Sequence, residues 1–252
     1  MNRRTWTKAA MIVPMEGKPS AERIVVVSPH FDDGVLSLGA SIASWCRAGA
    51  TVLLLTVFGC DPDSTAPSGG WDRRGGFGTE GESARARREE DRLACAVLGA
   101  TSVQLPFGSV DYERHGEDGD VRAAVAPAVE GADLVLLPGF PLSHPDHDWL
   151  VRTLVSAFKS DTRLSSGPIG LYGEQPYTRR AGTRPHVHAW LAELVGPAVF
   201  ERIPVRPRDR VAKWRAIRSY RSQLPLLGMR RSLRRGPHRY ALGREWVARL
   251  PD

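Results

Sequence analysis

Within the stretch VVVSPHFDDGVLSLG, from Val25 to Gly39, one imidazole and two carboxylates arrive within four positions as His30, Asp32 and Asp33. A second polar cluster, PLSHPDHDWL, brings His144, Asp146 and His147. Either cluster alone is a weak signal, because surface loops tolerate two histidines three apart. Together they offer the two imidazoles and one carboxylate that hold many catalytic zinc ions, with a coordination position left open for water. His30, Asp33 and His147 could bind such an ion, leaving Asp32 unligated beside it. Bound zinc lowers the pKa of its water to about 7. A neighbouring carboxylate can take that water's proton and return it to a leaving amine. His144 is then suited to polarise a carbonyl or stabilise an oxyanion, with Asp146 orienting it by hydrogen bonding. The competing role for Asp33 is a helix N-cap ahead of GVLSLG, open to it only if it is not a ligand. Zinc is the expected cofactor, although imidazole and carboxylate also suit other divalent ions.

Such a site needs elements that bring two distant loops together. Apolar runs of strand length recur at 23–28, 51–58, 102–105, 133–138 and 169–174. Helix-like segments separate most of them, notably VLSLGASIASWCRAG, ESARARREEDRLACAVLGA and DHDWLVRTLVSAF. Thr79 and Glu82 stand in the spacing of a capping box just ahead of the second of these. A fourth segment, VRAAVAPAVEG, is interrupted by Pro127, and RDRVAKWRAIRSYRSQL follows later. Strands apolar on both faces and separated by helices predict an α/β fold, a Rossmann-like three-layer sandwich with a mostly parallel sheet. The carboxyl ends of its strands share one rim, where ligands bind in open α/β sheets. That rim receives both the loop after Ser28 and the loop after Pro138. The long irregular segment 59–81 leaves the second strand on the same rim, as a substrate-covering loop or as a disordered one.

The apolar fraction of 42% and charged fraction of 25% over 252 residues are those of an ordinary globular chain. No run of about 18 apolar residues predicts a membrane span. Residues 1–22 read as a leader, 23–225 as the Rossmann-like domain, and 226–252 as a basic extension packed on that domain. Three cysteines without close spacing (Cys46, Cys60, Cys95) fit reduced thiols in a cytoplasmic protein. From Glu201 onward there are 15 Lys and Arg against 4 Asp and Glu, a net of +11 in a chain whose total is +7. The bland reading of this charge is a solvated face. No aromatic-interleaved motif supports nucleic acid as a partner.

SPHFDDGVLSLG followed by HPDH resembles the LmbE/PIG-L family of zinc-dependent N-acetylglucosaminyl deacetylases. RREEDRLACAVLGA, LPFGSVD, YGEQPY and KWRAIRSYRSQL are similar to further family segments, so the likeness runs from about Arg23 to Leu224. The resemblance implies His30, Asp33 and His147 as zinc ligands, Asp32 as general base and His144 as the electrophilic or acid partner. It also implies sugar contacts for Arg87 and Asp111. For Arg87 the alternative is a helix-surface charge pairing with Asp91 one turn on. The chain departs from the family where many members carry Glu (here Gly34) and where some sugar deacetylases carry Tyr (here Leu142). The implied activity is hydrolysis of an N-acetyl group on a small N-acetylglucosamine-type glycoconjugate, such as an intermediate of a low-molecular-weight thiol or a glycosylated antibiotic. Two rival readings are a sugar-nucleotide transferase using Asp32 and Asp33 on Mg²⁺ or Mn²⁺, and a basic nucleic-acid-binding module. The first strand is followed by no Gly-rich phosphate loop, which counts against the transferase.

Overall fold

Successive side chains of a strand point to opposite faces, and the first strand, β1 (Arg23–Ser28), divides its residues accordingly. Ile24 and Val26 enter one apolar core while Val25 and Val27 enter another. The computed structural model describes residues 23–112, 116–160, 168–229, 234 and 244–250. The expected leader and most of the arginine-rich stretch after Met229 lie outside the described residues.

Beyond β1 the chain runs through α1 (Asp33–Arg47), β2 (Thr51–Thr56), α2 (Gly70–Arg74), α3 (Glu80–Leu98), β3 (Thr101–Gln104), α4 (Asp118–Val129), β4 (Leu134–Phe140) and α5 (Pro145–Ser160). It continues through β5 (Ile169–Gly173), α6 (Tyr177–Arg180), α7 (Ala189–Val195), β6 (Glu201–Ile203), α8 (Pro207–Ile217) and β7 (Glu245–Arg249). The seven strands form one sheet in the order β3-β2-β1-β4-β5-β7-β6. β1 to β5 pair in parallel, whereas β7 is antiparallel to both β5 and β6. Helices α1, α3 and α8 pack over one face, and α4, α5 and α7 over the other. This is the three-layer α/β sandwich that the sequence predicts.

β1 lies between β2 and β4. The helix that follows β1 covers one face and the helix that follows β4 covers the other, so a crevice opens where the two chain directions part. Ligands in open α/β sheets bind at such a switch point, and His30 and His147 follow the two strands that border it.

The segment 59–81 carries α2 and is tied back to the body. Trp71 donates its backbone N–H to Asp111 Oδ2 (2.9 Å) and its indole N–H to Gln223 Oε1 (3.0 Å). Its exit is fixed by the expected capping box between Thr79 and Glu82, which opens α3. Under α1 and α8, Glu245 at the start of β7 is fully buried beside the equally buried Lys213 of α8, with Nζ to Oε1 at 2.7 Å. The same carboxylate accepts from the backbone N–H groups of Ala40 and Ser41 inside α1 (2.9 and 2.8 Å). Gly39 makes this possible, since a Cβ there would stand 2.9 Å from Lys213 Cγ. One buried ion pair thus joins α1, α8 and the last strand.

Replacing one partner of a buried ion pair leaves the other uncompensated, at a cost of about 3–5 kcal/mol. Lys213→Met is expected to lose stability on that scale in denaturant titrations. A shift within error would show that the pair contributes nothing. A second buried acid, Asp91 of α3, accepts from Tyr220 Oη (2.8 Å) and Gln104 Nε2 (2.9 Å). Burial pushes its carboxyl up to about 7, above the roughly 3.9 of an unfolded chain. Its folded form therefore favours the proton. Its contribution to stability is complete below pH ~4 and is lost as pH rises through about 7. The stability difference between the native chain and Asp91→Asn should change across that window. A flat difference would refute the assignment.

Candidate metal and catalytic site

The turn after β1 is set by Ser28, whose hydroxyl donates to the carbonyl of His30 (2.5 Å) and accepts the N–H of Gly34 (2.9 Å). Asp32 occupies the N-cap position of α1 without making a side-chain cap bond, and Asp33 is the first helical residue. Neither carboxylate is used for capping. The alternative role for Asp33 therefore does not apply, and both side chains are available to the crevice.

Asp33 Oδ2 lies 3.2 Å from His30 Nδ1 and 3.1 Å from His147 Nε2, and those two nitrogens are 3.2 Å apart. Ligands at 2.0–2.1 Å around a tetrahedral ion are separated by roughly 3.3 Å, so the three atoms form one face of such a tetrahedron. Donor atoms of His30, His144 and His147 also fall within 4.8 Å of one another. We favour the tighter triangle as the ligand set because its sides match tetrahedral spacing, which leaves His144 as a neighbour.

Buried carboxylates back both imidazoles. Asp146 Oδ2 meets His30 Nε2 at 2.8 Å and its other oxygen accepts the N–H of Val110 (3.0 Å). Glu174 Oε1 stands 3.3 Å from His147 Nδ1, while Oε2 accepts the N–H of Leu142 (3.2 Å). Burial opposes charge on His30, yet Asp146 and Asp33 raise it to about 9. His147 is likewise raised well above its ordinary value by Asp33 and Glu174 against the burial penalty. Burial penalises the charge on Asp33 too, but the two imidazoles hold its carboxyl well below the usual range. This donor set demands positive charge at its centre. A divalent cation fits it.

Asp146 reaches the rings of both His30 and His144, but unequally. Its carboxylate bonds to His30 and lies 3.6 Å from His144 Nδ1. The backbone N–H of Asp146 instead donates to that nitrogen (3.3 Å). A ring whose Nδ1 accepts carries its proton on Nε2. Burial, together with the neighbouring His30 and His147, lowers His144 to about 4, so the ring is neutral and a donor. Asp32 faces the same cleft. Burial and the adjacent Asp33 push its carboxyl up to about 7.

The cleft encloses about 300 Å³ and is lined by His30, Asp32, Asp33 and His144 together with the outer residues Arg87 and Asp111. Arg87 does not pair with Asp91. It meets Asp72 of α2, which is buried and also receives the Tyr112 hydroxyl. Asp111 both lines the cleft and holds the backbone of Trp71. Trp71 and Arg74 of the 59–81 segment complete that wall, with the guanidinium of Arg74 5.0 Å from the Trp71 ring centroid. Sequence reasoning gave no role to Glu174, Asp72 or Tyr177. Tyr177 lines the cleft edge-on to His147, with ring centroids 5.7 Å apart. The only signal for Glu174 and Tyr177 was their place in YGEQPY. Gly34 offers no room for a carboxylate, because a Cβ there would press on Leu54 in the core.

Residues 25–158 match the model of the PIG-L family, GlcNAc-PI de-N-acetylases. The chain belongs to this family. Among solved structures, a deacetylase triple mutant of the teicoplanin biosynthetic pathway superposes with a TM-score of 0.72 at 24% identity, covering 91% of this chain and 98% of its own. The A40926 pseudoaglycone deacetylase gives 0.67 at 24% identity over 91% and 96%. A zinc-inhibited form of teicoplanin deacetylase gives 0.68 at 22% identity over 91% and 98%. At these identities the likeness establishes the fold. No curated protein sequence matches the chain. No helix among the described residues is long and apolar enough to cross a membrane.

Carboxylates behind metal-bound histidines typically change metal affinity 10–100-fold when removed. Glu174→Gln should weaken divalent-ion binding by about that factor in a chelator competition titration. Unchanged affinity would mean that Glu174 does not support His147.

Proposed function

We propose that the chain is a metal-dependent N-deacetylase that hydrolyses the acetamide of an N-acetylglucosamine-type group. The observation that carries this reading is the triangle of His30, Asp33 and His147 with an unligated carboxylate, Asp32, in the same cleft. Zinc is the proposed ion, with another divalent transition metal suiting the same donors.

A divalent ion held by these three residues supplies Lewis acidity and brings the pKa of water near 7. Asp32 accepts the proton of the water that attacks the acetamide carbon. A carboxylate whose pKa lies near neutrality suits that task. The carbonyl oxygen gains negative charge as the C–O bond forms, and the His144 Nε2–H donates to it. Breakage of the C–N bond requires a proton on nitrogen, which Asp32 returns. The products are acetate and a free amine. Arg87, fixed by Asp72, and Asp111 position the sugar at the outer end of the cleft. The family's name and the glycopeptide-pathway deacetylases that share this fold support a small glycoconjugate as acceptor.

Removal of a general base typically costs about 10²–10⁴ in rate. Asp32→Asn should lose that much acetate release from N-acetylglucosamine conjugates while keeping its metal. Full turnover in that variant would sink the assigned base. Chelation should abolish activity and added Zn²⁺ or Co²⁺ restore it. Activity that survives complete removal of metal would overturn the hydrolytic scheme.

A further inference from the structure

A second and larger cavity, of about 670 Å³, lies on the other side of α6 from the catalytic cleft. Tyr177, the first residue of that helix, lines the cleft, whereas the next two, Thr178 and Arg179, line the cavity. Three guanidinium side chains border it, those of Arg179, Arg184 and Arg244, and no acidic residue does. Arg184 lies 5.4 Å from the ring centroid of Trp246. Neither Arg184 nor Arg244 forms an ion pair among the described residues.

The wall behind these arginines comes from β7 and the turn after β5. Trp246 sits on β7 opposite Arg202 of β6, in space left by Gly173, where a Cβ would stand 3.2 Å from Trp246 Cβ. Gln175 is only 6% exposed, and its backbone N–H is fixed on Ser37 Oγ (3.0 Å). Gln175 also lines the cavity.

The geometry points to a second binding site, for a carboxylate or phosphate group on a ligand that also carries an apolar portion. Guanidinium forks match the planar or tripod oxygens of such anions. The Gln175 amide adds a neutral donor, and the indole of Trp246 with Pro185 supplies an apolar wall for the remainder. The short helix α6 separates this site from the acetamide chemistry. It can therefore hold either an arm of the acceptor or a separate anion.

Titration calorimetry of the full metal-loaded chain with phenyl phosphate tests the assignment, with inorganic phosphate and benzyl alcohol as comparisons. One phenyl phosphate should bind per chain, more tightly than either comparison. The double variant Arg184→Ala/Arg244→Ala should weaken it by about tenfold or more. Gln175→Leu should weaken it as well. Acetate release from a neutral N-acetylglucosamine conjugate should be unchanged in the double variant. Competition between phenyl phosphate and a carboxylate-bearing acceptor in the native chain, absent in the double variant, would assign the site to an arm of the acceptor. Binding without competition would assign it to a separate anion. Lack of saturable binding overturns the proposal. So does binding that persists undiminished in the double variant, since the anion would then be held elsewhere, at the metal centre for instance. The binding readout needs no turnover, so its failure leaves the deacetylase reading standing, and the reverse holds too.

Discussion

One carboxylate oxygen, Asp33 Oδ2, stands between two imidazole nitrogens contributed by turns more than a hundred residues apart in sequence. Everything in the cleft takes its position from that meeting. The oxygen also receives the backbone N–H of His30 at 3.0 Å, so it locks its own turn as well as bridging to the other. Three buried acids around two rings would be untenable without positive charge at the centre. That imbalance is the electrostatic signature of a cation site. It also leaves Asp32 in a setting where burial and a like-charged neighbour keep its proton affinity high.

The sheet delivers the two turns to one place. β1 and β4 are adjacent and in register through Ile24 with Leu134 and Val26 with Leu136, so the strands end close together. Their following helices lie on opposite faces. His30 consequently approaches from one layer and His147 from the other, and the ion position falls at the seam between two separate cores. Around it the chain adds a rim from α2, where Asp72 links Arg87 and Tyr112 into one group. The rim sets the shape of the cleft without touching the proposed ligands.

Much of this was legible in the residues themselves. Four apolar runs became β1, β2, β4 and β5 because a largely buried strand leaves a continuous hydrophobic signature, whereas the fifth became β3, a half-exposed strand at the edge of the sheet. The clusters at 30–33 and 144–147 stood out because charged groups rarely crowd the end of such a run. Other parts had no such signal. β6 and β7 are short, and β7 opens with Glu245, whose burial makes sense only once Lys213 is brought to it. Sequence proximity pointed Asp146 to His144, and the long-range contact of its carboxylate with His30 had no local signal. Glu174 and Tyr177 reach the site from β5 and α6, at a distance that no local pattern encodes.

The ion pair between Lys213 and Glu245 also bears on biosynthesis. A ribosome releases His30 and both neighbouring carboxylates before His147. The carboxylate that receives two N–H groups of α1 emerges later still, with β7. Nascent chains therefore carry all three proposed ligands before the scaffold beneath them is finished, and metal capture by an incomplete polypeptide would occur on a helix still lacking its internal anchor.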